Sequence, residues 1–329
     1  MLDYCVIGSG ISGSTIANYL VKKNSVKVFD KANGLGGRSS YKRFKGKIGF
    51  DHGVQYISPK SREFKNFTKL LVKKKILKQW NGKHFFINKK VKENKKHIKL
   101  IGYSGNNSIS KFLLKNVKYQ LKYELLNIKR EKNMWNLYFL NNQKITAKNL
   151  IVTAPFPQSK KLLSKFVKKK LFKSKVKMDS AITVLVITNK TKNKLSSFFT
   201  NDNTLGWVSN ENSKKRFKFK KDLWVLQSTF NYGKLHINKY KKNKKYYTQL
   251  LINKFKNLTK VKIKKIYFTH IHGWKYSSSS LPLKNYSYWD KKIGLGICAD
   301  WFGGPRLENG WLSAVSYTHL TLPTKPSGV

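Results

Sequence analysis

"DYCVIGSGISGSTIANYLVKKNSVKVFDK", Asp3 to Lys31, decides how this chain is read. An apolar run leads into a glycine turn, an amphipathic helical stretch and a second apolar run, the order of a β-α-β unit. Gly8, Gly10 and Gly13 form GxGxxG at the first strand-to-helix junction. Gly8 permits the tight turn, Gly10 lets the backbone approach a pyrophosphate, and Gly13 lets helix and strand pack closely. The helix N-terminus adds unpaired N–H groups and a partial positive charge. Asp30 ends the second strand, 20 residues after Gly10, where a carboxylate can accept both hydroxyls of an adenosine ribose.

The next residues narrow the dinucleotide. In "DKANGLGGRSS", a second glycine pair, Gly36 and Gly37, precedes Arg38. A guanidinium beside a glycine turn can pair with a diphosphate at two points. At this distance from the ribose acid, that arrangement favours FAD over NAD.

With these motifs, the N-terminal stretch resembles the flavin amine oxidoreductase superfamily, and further stretches resemble its renalase-like branch. They are "FDHGVQYIS" from Phe50, "WVSNENSKKR" from Trp207, "IHGWKYSS" from Ile271 and "ICADWFGGPRLENGWLSA" from Ile297. The resemblance implies a two-domain α/β fold: a Rossmann-like FAD-binding domain built from discontinuous segments, with an inserted mixed-sheet α+β substrate domain. Residues 1–57, 103–158 and 292–314 are expected in the first, 59–102 and 159–291 in the second. It places Asp300 at the flavin ribityl–phosphate region, with the following helix aimed at the flavin and the Gly303–Gly304 turn allowing close approach. Ala299 stands where the family usually has Gly. The resemblance also puts Gln55 and Tyr56 beside the flavin ring, as flavin-bonding amide and aromatic slot wall; Trp274 reads equally as a wall of the substrate pocket or as a core residue of the second sheet. Ser12, Lys31, Glu308 and Trp311 join Gly8, Gly10, Gly13, Asp30, Gly37, Arg38 and Asp300 in the expected cofactor-binding set. Neither Cys lies in a family attachment motif, so FAD is expected to be noncovalent.

The remaining chain reads as alternating elements. "KYELLNIKRE", "MWNLYFLN" and "KITAKNLIVTAP" read as three strands, the last stopped by Pro155 and Pro157. "SAITVLVIT", "DLWVLQSTF" and "KKIYFTHIHGW" read as strands of a second sheet, "KKYYTQLLINKFKNL" as an amphipathic helix and "IGLGICAD" as a late buried strand. "HFFINKKV" suits a strand or hairpin, and Ser108 is a candidate helix N-cap. His270 and His272 share a strand face, but no neighbouring carboxylate or thiol completes a metal site. Asn210 to Arg216 reads as a surface loop whose cations attract an anionic substrate.

Lys and Arg number 69 against 14 Asp and Glu, a formal charge of +55, and only six of the 69 are Arg. Lys is spread along the chain, beside abundant Asn, Ile, Phe and Tyr, the signature of AT-rich coding bias. A solvated surface is therefore expected, with no dedicated nucleic-acid or membrane site, although polyanions should bind non-specifically at low salt. The N-terminus lacks the basic and apolar regions of a signal peptide. No run approaches the roughly 18 apolar residues of a membrane span, and Cys5 and Cys298 sit in apolar runs. Together these suggest a cytoplasmic protein with reduced thiols. "VSYTHLTLPT", from Val315, resembles a translated sequencing-library adapter, so 315–329 are read as a non-native tail, with the helical pattern lost after Ala314.

The expected activity is hydride transfer from a small reduced substrate to flavin, with reoxidation by O2 giving H2O2. Renalase resemblance implies isomeric reduced nicotinamide dinucleotides as substrates. The alternatives are an amine oxidase or desaturase-type flavoenzyme, and a non-catalytic basic protein binding polyanions on a flavin fold.

Overall fold

A computed structural model describes residues 1–87, 91–93, 98–191, 195–283 and 285–321. Cys5, Val6, Val28 and Phe29 are all fully buried. Consecutive buried positions require cover on both sheet faces, the condition of a central parallel strand. Leu2–Ile7 accordingly runs parallel between Val26–Asp30 and Lys144–Val152. Lys118–Leu121 extends the parallel set beyond Val26–Asp30, and Leu295–Ile297 extends it on the other side through Leu150 to Val152. Helix Ile11–Leu20 makes the first crossover. The N-terminal half of Lys144–Val152 continues as an antiparallel meander with Met134–Phe139 and Leu125–Glu131. Distant segments of the chain thus complete one sheet.

The second sheet has seven strands, ordered Ile266–Leu281, Lys177–Thr188, Asp222–Ser228, Leu205–Asn210, Ser197–Thr200, His84–Ile87 and Val91–Glu93. It is antiparallel except where His84–Ile87 parallels Ser197–Thr200, so it is mixed. In helix Lys244–Thr259, Tyr247, Leu251, Ile252 and Phe255 fall on one helical face and bury against Ile182, Trp224 and Leu226 of this sheet.

Several local expectations change. Helix Ser108–Leu113 begins after Asn107, and Ser108 Oγ bonds Gly105 O at 2.7 Å instead of capping an amide. Pro155 and Pro157 do end the strand, but they also open helix Phe156–Leu163, because the first turn needs no proline N–H. That helix contributes Phe156 and Leu163 to the first sheet's core, and Tyr288–Asp290 adds to its edge, although both were assigned by sequence wholly or partly to the second domain. A helix absent from the sequence reading, Arg62–Lys73, is capped by Ser61 Oγ. The last helix, Leu307–Thr321, does not break after Ala314. Ala314 and Tyr317, three residues apart, share a buried face, and Tyr317 lies over Gly296 and beside Trp289.

Candidate active site

The Rossmann turn, the parallel-strand ends and the Ile266–Leu281 strand enclose one cleft of about 1840 Å³. Its floor follows from the glycines. Gly8 has φ +108°, and a Cβ there would lie 2.4 Å from Thr153 Oγ1. A Cβ on Gly13 would lie 1.9 Å from Gly8 O, so strand and helix touch backbone to backbone. Gly10 and Gly37 face each other, leaving bare backbone from both glycine turns at the same wall. Ser12 also lines the cleft, and its Oγ donates to Gly310 O at 2.8 Å, tying the first helix to the last.

Asp30 lines the cleft with its carboxylate already oriented. Oδ2 accepts from Ser9 N at 2.7 Å and Ser9 Oγ at 2.6 Å, and Oδ1 accepts from Ala32 N at 2.8 Å. Lys31 is exposed at the rim and pairs with Glu124 at 3.4 Å. Arg38 and Asp300 form a two-point ion pair, with N–O distances of 2.7 and 2.6 Å. The cation expected at the diphosphate and the acid expected at the ribityl region thus meet across the cleft. Gly304, at φ +115°, turns the chain into the last helix, whose first residue Leu307 also lines the wall. The Ala299 methyl is buried in the core with Val152 and Phe302, so it does not narrow the cleft.

At the other end stand Trp274, His52, His270 and His272. Trp274 Nε1 donates to His52 O at 3.0 Å. The His52 and Trp274 rings are 5.1 Å apart, and His272 meets Trp274 at 4.4 Å and His52 at 5.2 Å. Burial, with His272 nearby, pushes the His52 pKa down to about 3. Burial, with His270 nearby, pushes that of His272 down to about 4. Both rings are therefore neutral at pH 7. His52 lies inside the DHGVQY segment but was not singled out there. Its pairing with the Ile266–Leu281 strand is a tertiary contact with no local sequence signal.

Five expected site residues lie off the lining of this cleft: Gly13, packed beneath the turn against Gly8 O, and four whose side chains are held elsewhere. Gln55 is buried with its amide occupied: Nε2 donates to Asp51 O and Gly53 O, and Oε1 accepts from Ser209 Oγ at 2.7 Å. Tyr56 packs on Trp207 in a separate cluster with Trp80 and Ile101. Glu308 is buried and accepts from Lys60 N at 3.0 Å and Ser61 N at 2.6 Å, at the start of helix Arg62–Lys73. Trp311 packs between Phe64 and Phe67 at 5.4 and 5.0 Å. In each case a distant partner absorbs the side chain.

The Asn210–Arg216 stretch is not a surface loop. The Lys214 and Arg216 side chains are 0% and 2% exposed. Lys214 Nζ bridges Asp51 at 2.8 Å and Glu211 at 2.7 Å, and Arg216 reaches Asp51 at 2.5 Å. Burial would raise the Asp51 pKa, but Arg216 and Lys214 overcome it and hold the carboxylate below its ordinary value. Because Asp51 belongs to a strand beside the cleft and Glu211 follows the second sheet, the cluster fastens the two halves together. Among the described residues no set of His, Cys, Asp and Glu side chains forms a metal site.

The bare glycine backbone, oriented ribose acid and helix N-terminus fit a dinucleotide. Small-ligand pockets usually span about 300–1,000 Å³, so the cleft also has room for a second molecule. Residues 6–73 match the family described as NAD(P)-binding Rossmann-like domain. The fold is similar to that of a protein from Exiguobacterium sp. 255-15 assigned as a protoporphyrinogen oxidase, with TM-score 0.72, 11% identity, and 95% of this chain and 97% of that one covered. It is similar to an oxidoreductase from Methanosarcina mazei, with TM-score 0.67, 12% identity, and coverage of 96% and 99%. Cyclohexylamine oxidase from Brevibacterium oxydans IH-35A gives TM-score 0.68, 9% identity, and coverage of 96% and 97%. At identities of 9–12% these likenesses show the fold alone, a Rossmann-like parallel sheet with a second, mixed sheet.

Proposed function

We propose that this protein is an FAD-dependent oxidoreductase that takes hydride from a small reduced substrate. The observation that carries the reading is the single cleft joining the glycine turns and Asp30 to the wall of Trp274 and His272. When bound, FAD supplies a ring that accepts hydride and passes electrons on to dioxygen, giving H2O2. The amides at the start of Ile11–Leu20 and the Gly10–Gly37 backbone would hold the pyrophosphate, and Asp30 the adenosine ribose. Arg38 and Asp300, paired with each other across the cleft, would exchange that pair for the diphosphate and the ribityl region respectively when FAD binds. The N-terminus of Leu307–Thr321 lines the cleft, and its positive dipole end would stabilise negative charge on a reduced flavin held there. Trp274 and His272 exclude water and align the donor, which hydride transfer needs more than a general base.

The renalase-like reading, with dihydronicotinamide dinucleotide isomers as donors, is favoured over amine oxidation by charge. The strands Tyr41–Lys45 and Ile266–Leu281 bring Lys42, Arg43 and Lys275 to the cleft and contain no carboxylate. An alkylammonium is repelled there, whereas a pyrophosphate-bearing donor is attracted. Anaerobic addition of dihydronicotinamide isomers should bleach the flavin band, and amines should not. Bleaching by amines alone moves the reading to an amine oxidase.

A further inference from the structure

Arginine is scarce in this chain, and the places where it stands are informative. Lysine supplies positive charge almost everywhere, with 63 residues against six arginines. Four of the six arginines line the cleft, against only six of the described lysines. Lysine is a point charge on a flexible stem, whereas a guanidinium is a rigid planar fork that meets an oxyanion at two points. An arginine kept in so lysine-rich a chain marks a place where the fork itself is used. Three of the cleft arginines have protein partners. Arg38 pairs with Asp300, Arg130 donates to the carbonyls of Lys292 and Ile293, and Arg306 reaches Ser58 O and Glu308. The fourth, Arg43, is exposed, and its guanidinium has no hydrogen bond or ion pair among the described residues.

The position of Arg43 suits a group that arrives with a ligand. It shares a face of strand Tyr41–Lys45 with Tyr41, which also lines the cleft and whose phenol is acted on by the Arg43 charge. The ladder to Ile48–Asp51 shifts register between Arg43 and Lys45, an irregularity of the kind that re-aims side chains. The acids that act on this face, Asp51 and Glu211, are taken by Lys214 and Arg216. The adjoining Lys42 acts on His52, His270 and His272, which puts the two cations at the histidine–tryptophan end of the cleft. We propose that Arg43 is a specificity-determining residue that holds a phosphate of the incoming dinucleotide donor in a two-point contact, with Lys42 adding charge beside it. The inference rests on the dihydronicotinamide reading above and names the residue that selects for phosphate. That phosphate belongs either to the donor's pyrophosphate or to a 2′-phosphate on its adenosine ribose, and the probes below separate the two.

The test uses the purified, FAD-loaded protein at physiological ionic strength. Adenosine, adenosine 2′-monophosphate and ADP are titrated by calorimetry. One phosphorylated probe should bind about tenfold tighter than adenosine: ADP if Arg43 takes the pyrophosphate, the 2′-monophosphate if it takes the ribose phosphate. Arg43→Lys keeps the charge but loses the fork, and should weaken that probe about tenfold, the effect of a lost charge-assisted hydrogen bond. Adenosine should be unchanged. Lys45→Gln removes a charge from the same strand but off the cleft lining, and should alter the probe's affinity less than about twofold. Arg43 is exposed and unpaired, so its variants should keep the parent's urea midpoint. A failure of both phosphates to outbind adenosine, equal affinity in Arg43→Lys, or an equal loss in Lys45→Gln overturns the proposal. So does loss of FAD from Arg43→Lys, which would assign the guanidinium to the cofactor. If dihydronicotinamides still bleach the flavin in that event, the substrate reading survives without this contact. If they do not bleach it but a phosphate probe engages Arg43, the site stands and the hydride-donor reading falls.

Discussion

At the scale of single residues, the neutral histidines set a pH dependence. The pKa of His52 lies at about 3 and that of His272 at about 4 in the folded chain, against an ordinary 6.5. Between pH 6.5 and 4 the unfolded chain therefore binds more protons than the folded one, and stability falls as pH falls through that window. Above it these two residues contribute no slope. The Asp51 carboxylate, also held low, adds a loss of the same sign further into acid. Urea midpoints measured from pH 7.5 to 4.5 should decline below about 6.5, and His52→Leu should flatten part of that decline. A midpoint that rises on acidification contradicts the burial of neutral imidazoles. Residues whose surroundings are local were readable. Gly8 and Asp30 act through their own turn and strand end, so spacing alone places them on the cleft lining, with Gly13 packed beneath against Gly8 O. The surroundings of Gln55 and Glu308 were not legible, because what pairs with their polar atoms, Ser209 in one case and the Lys60–Ser61 amides in the other, is far away in sequence.

Elements were legible where periodicity is strong. The three meander strands, the sheet strands containing Ile182, Trp224 and Ile271, and helix Lys244–Thr259 all carry apolar faces of the right period. Arg62–Lys73 was not read, because its buried positions, Phe64, Thr68 and Leu71, are sparse among lysines. That helix now has an unexpected anchor. Glu308 accepts from the amides of Lys60 and Ser61, joining its start to the final helix. Glu308→Ala leaves those amides without an acceptor and should destabilise the protein by about 1–3 kcal/mol, read from urea unfolding. FAD affinity of the folded variant should stay within about twofold, since the carboxylate lies off the cleft lining and reaches it only through a long 3.5 Å contact to Arg306. A large loss of flavin affinity at unchanged stability would return Glu308 to the cofactor site. The persistence of the last helix through Tyr317 has a similar cause: Tyr317 fills the space over Gly296, so the apolar face outlasts the familiar pattern.

For the whole molecule, the sequence reached the two-sheet architecture but not the bolt between the sheets. Lys214 and Arg216 were taken for surface charge because 63 of the 69 basic residues are lysines scattered along the chain. Two of these cations are the buried partners of Asp51 and Glu211. Lys214→Met leaves two buried carboxylates sharing Arg216. Loss of one partner from such a cluster typically destabilises by about 3–5 kcal/mol, which thermal and urea unfolding should detect. A neutral effect would mean that the cluster is open to water. The remaining charge is the basis of the polyanion-binding alternative. The described residues contain no helix long and apolar enough to cross a membrane.

The central claim is that one cleft holds FAD at its glycine end and a hydride donor at its histidine–tryptophan end. The most direct test is the visible spectrum of the purified, FAD-loaded protein during anaerobic titration with dihydronicotinamide dinucleotide isomers. The account predicts a flavin band that bleaches with these donors, is unaffected by alkylamines, and returns with H2O2 when air is admitted. A protein that neither retains nor takes up FAD would contradict it.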